Sequence, residues 1–179
     1  MKKAMVIVAL LACMAGKAQT FTLQSKDLGG QAMMKQVLNG FGCSGGNVSP
    51  ELFWENAPAG TKSFAVTMYD QDAPTGSGWW HWLIFDLEKT CSELPADAGN
   101  VQKNIAPENA IQSRTDFGVP GYGGPCPPPG SKPHAYVITL YALDTEKLGL
   151  GANASPALVG FYLGQHTIQK ASLVFYYQQ

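Results

Sequence analysis

Two stretches gather the side chains able to do chemistry. The first runs Asp70-Gln71-Asp72-Ala73-Pro74-Thr75-Gly76-Ser77-Gly78-Trp79-Trp80-His81-Trp82. The second runs from Gly121 and Gly124 through Cys126, Pro127 and Gly130 to His134 and Tyr136. Each places a His beside a Gly/Pro loop, at the start of an apolar run. Glycine-rich backbone offers N–H groups to an anion, and a His adds a proton donor. Two acids two residues apart at a strand end share one face unless a turn or a cis-proline redirects one. An Asp repels a phosphate, yet it holds a neighbouring His in its donating form and can receive an ammonium. The set therefore suits a zwitterion, or a phosphate with one protonated oxygen, better than a bare polyanion. Each feature also has a plain structural reading. A strand-end His often only hydrogen-bonds at a sheet edge. Asp70 and Asp72 could stabilise a turn, and Trp79, Trp80 and Trp82 could be packing.

Alternating strands must position these groups. Ser63 to Asp70, Trp80 to Leu87, Tyr136 to Leu143 and Ala171 to Tyr177 are rich in β-branched and aromatic residues, and Phe21 to Ser25 is a shorter alternating segment. Ser155 followed by Pro156 predicts an N-cap and a first helical residue, with a short helix over Ala157 to Gln165. Long loops lie between: Leu38 to Pro50, Gln71 to Trp79, Ala96 to Phe117 and Gly118 to Pro133. Loops beyond about 12 residues are uncommon unless functional. The pattern predicts a mainly β protein, an antiparallel β-sandwich with a few short helices.

Composition narrows the function class. The chain has 179 residues with 12 Lys+Arg, 13 Asp+Glu and 3 His, a net charge of −1. That length suits one domain, and 45% hydrophobic residues supply a core. A single Arg and no basic run argue against nucleic acid, which needs clustered cations on phosphates. No H-E-x-x-H or C-x-x-C motif occurs, and Ser44, whose surroundings Gly42-Cys43-Ser44-Gly45-Gly46 spell G-x-S-x-G, has no motif-supported base, so neither a metal centre nor a serine nucleophile is indicated. No cofactor is expected. His166, at the end of the predicted helix, reads as a cap or a solvated group.

Residues 1–18 read as a secretory signal peptide: Lys2 and Lys3, an apolar run from Ala4 to Ala15, then Gly16-Lys17-Ala18. The expected domain then spans residues 19–179, and the expected location is the periplasm or the exterior. Removal of Lys2, Lys3 and Lys17 takes the charge from −1 to −4. Leu10-Leu11-Ala12-Cys13 is a rival signal, an imperfect lipoprotein box. No other stretch is long and apolar enough to span a bilayer. Export leaves Cys43, Cys91 and Cys126, enough for one bridge. Cys43 and Cys126 lie in Gly- or Pro-rich loops that could meet, so they are the expected pair. Cys91 flanks a strand and is expected to stay reduced.

In their order along the chain, the motifs resemble the phosphatidylethanolamine-binding protein family, which includes Raf kinase inhibitor protein, and its bacterial Raf-kinase-inhibitor-like branch (YbhB/YbcL). The carrying residues are Asn47-Val-Ser-Pro50 with Trp54, Pro58 to Phe64, Asp70 to Gly78, Trp80-His-Trp82, Gly121 to Gly124, Pro127-Pro128 and Pro133-His134-Ala-Tyr136. The resemblance runs from about Phe21 to Tyr177. It implies a β-sandwich with a small surface pocket near a cis-proline, expected at Ala73-Pro74, that accepts phosphate, phosphoethanolamine or similar anions. Asp70, Asp72, Pro74, His81, Gly124, Cys126, Pro127, His134 and Tyr136 would line or frame it. His81, His134 and the Tyr136 hydroxyl would donate to the phosphate, with backbone N–H groups near Gly124 completing the cradle. Two departures stand out: Gln71 replaces the family's usual Pro between the acids, and Ala135 replaces an Arg common before the Tyr. The expected function is a non-enzymatic small-anion or zwitterion-binding module, possible as a regulator or inhibitor of an unidentified protein. A metal- or His/Asp-dependent hydrolase of the cell envelope is the alternative, and a purely structural envelope protein is a third class.

Overall fold

The computed structural model describes residues 19–179. The signal-peptide and Cys13 readings lie outside the described residues. Among the described residues ten strands and one helix follow in order: β1 (Thr22–Gln24), β2 (Asn39–Gly40), β3 (Cys43–Ser44), β4 (Leu52–Glu55), β5 (Ser63–Asp70), β6 (Trp79–Glu88), β7 (Glu93–Leu94), β8 (Ile111–Gln112), β9 (His134–Leu143), α1 (Pro156–His166) and β10 (Thr167–Tyr177). The long strands coincide with the β-branched and aromatic runs. Short β4 and β7, too brief to show alternation, emerge only from their pairing.

A five-stranded antiparallel sheet, in the order β10-β9-β5-β6-β8, forms the body of the molecule, and a three-stranded sheet, β1-β4-β7, faces it. Side chains alternate across a strand, so each central strand feeds two cores. Phe64, Val66 and Met68 of β5, with Trp82 and Ile84 of β6, pack against Leu23, Leu52, Trp54 and Leu94 of the smaller sheet. Ala65, Leu83, Phe85, Tyr141 and Leu143 face the other way and are covered by Val159 and Leu163 of α1. The fold is thus the predicted sandwich, with one helix closing the outer face of its larger sheet. The Ser155 Oγ accepts from Leu158 N at the helix start, as the Ser-Pro pair predicts. At the helix end, His166 Nδ1 meets Asp144 Oδ1 at 2.8 Å, a surface pair at the C-terminal turn.

Antiparallel pairing of β5 with both β6 and β9 fixes the site's position. Asp70 lies opposite Trp79 on one side and Tyr136 on the other. The C-terminal end of β5 therefore meets the N-terminal ends of β6 and β9, where His81 and His134 stand. The register of three strands, not their loops, brings the two polar stretches together.

One expectation is corrected. Ala73–Pro74 is a trans bond, and no cis peptide occurs among the described residues. Trans is the intrinsic preference even before proline, and side-chain and main-chain bonds close this loop without a cis bond. Asp70 Oδ1 accepts from Asp72 N at 2.9 Å, and Thr75 N donates to Ala73 O at 2.8 Å.

Candidate functional site

Asp70 is only 3% exposed, so its charge must be met within the protein. One carboxylate oxygen takes the Asp72 N–H, and the other accepts from His134 Nδ1 at 2.8 Å. Asp70 therefore orients His134 and leaves that ring's Nε2 free. Asp72 turns outward, where its Oδ2 accepts from Ala135 N at 2.8 Å and ties the loop to β9.

His81 is held by the second stretch. Its Nδ1–H donates to Gly123 O at 2.7 Å, and Gly123 N donates back to His81 O at 2.9 Å. Burial pulls the imidazole pKa down to about 4, against the opposing pull of the Gly123 carbonyl and the Asp70 charge. At neutral pH the ring is uncharged and Nε2 carries a lone pair, an acceptor. This burial opposes the donor role expected of His81, because dehydration outweighs the nearby carboxylates.

The two rings lie against one residue. Tyr136 is fully buried, edge-to-face with His81 at 5.2 Å and stacked near His134 at 6.4 Å, with Phe175 beneath at 5.3 Å. Its hydroxyl is buried without a hydrogen-bond partner. Burial, then the Asp70 charge, pushes the phenol's pKa upward. Tyr136 forms the floor under the histidines and does not border the cavity as a free donor.

That cavity measures about 170 Å³. Asp70, Pro74, His81, Cys126, Pro127 and His134 border it, as expected. Asp72, Gly124 and Tyr136, also expected there, are not among the bordering residues. The Gly124 N–H is unavailable to a ligand because it donates to Asn47 Oδ1 at 2.8 Å. Asn47 also donates from Nδ2 to Tyr122 O, so its amide spans the Gly123 turn that holds His81. Gly124 itself sits where a Cβ would lie 2.0 Å from Gln36 O, which only a glycine allows. Among the described residues no Lys or Arg borders the cavity, and the Ala135 side chain is a buried methyl.

Six bordering residues lie outside the expected set: Ala73, Thr75, Pro128 and the aromatic Phe41, Trp79 and Phe117. Phe117 is the hub, with Phe41 and Trp79 each 5.4 Å away at 68° and 73°, and His81 5.2 Å away. Phe41 occupies the two-residue hairpin loop between β2 and β3, where Gly40 pairs with Cys43. Its φ is +52° and that of Gly42 +89°, the double left-handed turn that favours Asn-Gly. A bulky residue there costs roughly 1–2 kcal/mol, and this one is 78% exposed at the cavity mouth. A lone Phe between glycines in a polar loop is the signal that could have found it. The Cys43–Cys126 disulfide, with Cα atoms 6.0 Å apart, pins this hairpin to the cavity wall as expected, and Cys91 is free.

The turn at Gly123 yields a direct test. A Cβ there would lie 2.3 Å from the Phe117 ring. Gly123→Ala is expected to destabilise the fold by about 2 kcal/mol, as overpacking does, and to displace Phe117 and His81 together. Urea unfolding measures the first effect. The His81 imidazole shift in an NMR spectrum measures the second, and an unmoved resonance would contradict the clamp.

Comparison with known proteins agrees with this architecture. A profile of the family described as phosphatidylethanolamine-binding protein matches residues 25–178. The UPF0098 protein YbcL of Escherichia coli K12 is 46% identical over 180 residues, 98% of each chain. YbhB of the same organism is 46% identical over 153 residues, 84% of this chain and 96% of its own. The crystal structure of E. coli YbcL, described as a new member of the mammalian PEBP family, superposes with a TM-score of 0.87 at 48% identity, covering 89% of this chain and 98% of that one. A homologue from Chlamydia trachomatis, CT736, gives a TM-score of 0.73 at 26% identity over 89% of this chain and 97% of its own.

Proposed function

This chain belongs to the phosphatidylethanolamine-binding protein family, and on that footing we propose that it is an exported, non-enzymatic binding module for a phosphate group that keeps one proton. The carrying observation is the pair of histidine tethers. Both Nδ1 atoms are committed, to Gly123 O and to Asp70, which leaves two Nε2 atoms at one small cavity. His81 Nε2 accepts, and His134 Nε2 donates in the doubly protonated ring, the form that the paired carboxylate favours. A singly protonated phosphate offers one donor and two acceptor oxygens and satisfies both rings; a bare dianion leaves the His81 lone pair facing negative charge. A binding role also fits the only bordering hydroxyl, Thr75 Oγ, which is committed to Gly78 O. The disulfide supports an oxidising compartment, periplasmic or extracellular. Among the described residues no helix is long and apolar enough to cross a membrane.

Titration calorimetry with inorganic phosphate, phosphoethanolamine and a phosphopeptide tests this. Affinity is expected to rise as pH falls from about 7.5 to 5.5, because a phosphate monoester takes up its second proton near about 6. His81 contributes nothing to that rise, since it stays neutral to about 4. A diester head group, which has no such proton, is expected to bind less tightly than the monoester. That arm separates an intact lipid from a free phosphomonoester. His134→Ala should cost about 2 kcal/mol of binding, the value of a charge-assisted bond. An unchanged affinity in His134→Ala, or no binding by any of these ligands, would defeat the reading. Turnover of the phosphomonoester would instead favour the hydrolase.

A further inference from the structure

The far end of the larger sheet carries a charged cluster that phosphate binding leaves unused. Asp70 ends β5 at the phosphate cavity, and Ser63 begins it at the opposite end, paired with Glu88 of β6. Close to Glu88 stands Asp86, a carboxylate only 4% exposed. We propose that Asp86, Glu88 and Glu108 form a second binding site, which takes the carboxy-terminal arginine of a peptide. It stands apart from the phosphate reading and does not depend on it.

One extra residue in β6 makes the site. Phe64 pairs with Leu87 and Val66 with Ile84, so Phe85 and Asp86 together oppose Ala65. Asp86 takes the left-handed conformation, φ +59°, at a bulge that glycine fills at less cost. Its Oδ1 accepts from Leu148 N at 2.8 Å. Its Oδ2 has no hydrogen-bond partner among the described residues, yet it is not sealed in the core as the Tyr136 hydroxyl is. Asp86 borders two adjoining cavities, of about 320 and 350 Å³, and this oxygen is the polar atom it has left to face them. Burial pushes the Asp86 carboxyl pKa upward, against the Leu148 N–H and the charge of Lys147. A cation brought to Oδ2 supplies the stabilisation that water does not.

The two cavities differ in charge. Asp86, Glu88 and Glu108 border the smaller one with Thr90 and Asn109, and among the described residues no Lys or Arg does. Asn109 Nδ2 donates to Glu88 Oε1 at 2.7 Å, which leaves Oε2 open. The described residues hold no group of three acidic, His or Cys side chains placed for a metal ion. The three carboxylates are spread for a larger, organic cation. A guanidinium suits them, because it is planar, weakly hydrated and has five donors for several oxygens. Lys62, Lys89 and Lys147 border the larger cavity, with Glu146. None of these lysines forms an ion pair among the described residues. They attract a carboxylate and repel a second cation. An acylated arginine with a free carboxylate carries one charge for each cavity and no third. Free arginine instead brings an α-ammonium beside the lysines.

Titration calorimetry with N-acetylarginine, N-acetylargininamide, free arginine and inorganic phosphate is the test. It is run on the native protein, Asp86→Asn, Glu108→Gln and the Lys89→Gln/Lys147→Gln double variant. Asn suits a left-handed residue, and its Oδ1 still accepts from Leu148 N, so Asp86→Asn should fold, as its melting curve verifies. Glu108 is exposed, so Glu108→Gln tests the site even if Asp86→Asn does not fold. N-acetylarginine is expected to bind about tenfold more weakly to Asp86→Asn, the loss of one charge-assisted bond. Glu108→Gln should weaken it about threefold, as a more exposed pair does. The double lysine variant should bring N-acetylarginine down to the affinity of its amide. Inorganic phosphate should bind all of these variants as it binds the native protein. No binding of N-acetylarginine, or unchanged affinity in both acidic variants, would overturn the site. The amide or free arginine binding as tightly as N-acetylarginine would overturn the assignment to a carboxy-terminal arginine. N-acetylarginine bound without phosphate would sink the phosphate reading alone, and phosphate bound without N-acetylarginine would sink this one alone.

Discussion

Reduction of Cys43–Cys126 is expected to lower the unfolding free energy by on the order of 4 kcal/mol. The bridge joins residues 83 apart in sequence, and closing a loop of that length removes entropy from the unfolded chain. The native fold should survive, because both ends are also held by other bonds. Leu38 N donates to Pro125 O, Gly45 N to Leu38 O and Gly124 N to Asn47 Oδ1. The affected region is local. The β2–β3 hairpin has only two paired residues per strand, and its tip carries the Phe41–Phe117 contact. Without its bridge the hairpin should become mobile, and Phe41 should leave the cavity mouth. Urea unfolding with and without a phosphine reductant measures the global effect. The Cys43→Ser/Cys126→Ser double variant should reproduce the reduced value, and Cys91→Ser should leave the response to reductant intact. A loss below about 1 kcal/mol would show that the unfolded chain is already compact around this loop.

The body of the fold was legible because its signal is local. Phe64, Val66 and Met68 alternate with Ala65 and Thr67 within one strand, and either core can be read from that period alone. The meeting of the two polar stretches was legible as a motif order. Its physical cause, the pairing of Asp70 with Trp79 and Tyr136, is a long-range register. What escaped depends on partners distant in sequence. Phe41 meets Phe117 across a long stretch of intervening chain, beside the Cys43–Cys126 bridge. The charge state of His81 is decided by burial and by a carbonyl 42 residues away, neither of which its neighbours in sequence reveal. Tyr136 shows the same limit. Its position after His134 suggested a hydroxyl at the ligand; strand alternation does put Tyr136 on the face of His134, but one step further into the strand, where the ring is fully buried beneath the histidines. The cis bond expected at Pro74 was carried over from resemblance. In this chain, with Gln71 between the acids, the loop is closed by Asp70 and by a tight turn at Thr75 with a trans bond.

Buried, neutral His81 gives the second large effect, an acid-dependent loss of stability with a defined window. Its pKa is about 4 in the folded protein against 6.5 for the free side chain. Between these values the unfolded chain binds the proton and the folded chain does not, so stability rises with pH across the window. The contribution is complete above about pH 6.5 and falls as the pH drops toward 4. A shift of this size corresponds to about 3 kcal/mol, and the ring is 3% exposed, so solvent screening does little to reduce it. The groups facing the ring set the size of the shift. Desolvation lowers the pKa most, while the Gly123 carbonyl, Asp70, the Gly124 main chain and Asp116 partly oppose it. Carboxylates titrate at the acid end of the same range, so the effect is isolated as a difference between variants. His81→Gln retains an N–H for Gly123 O and has no proton to gain. Its unfolding free energy should fall more slowly than that of the native protein from pH 6.5 to 5, by about one proton's worth of slope near the lower limit. Urea unfolding at half-unit pH steps gives both curves. Parallel curves over that range would mean that His81 titrates normally in the folded state. The lone pair assigned to its Nε2 would then be wrong, and so would the preference for a singly protonated phosphate.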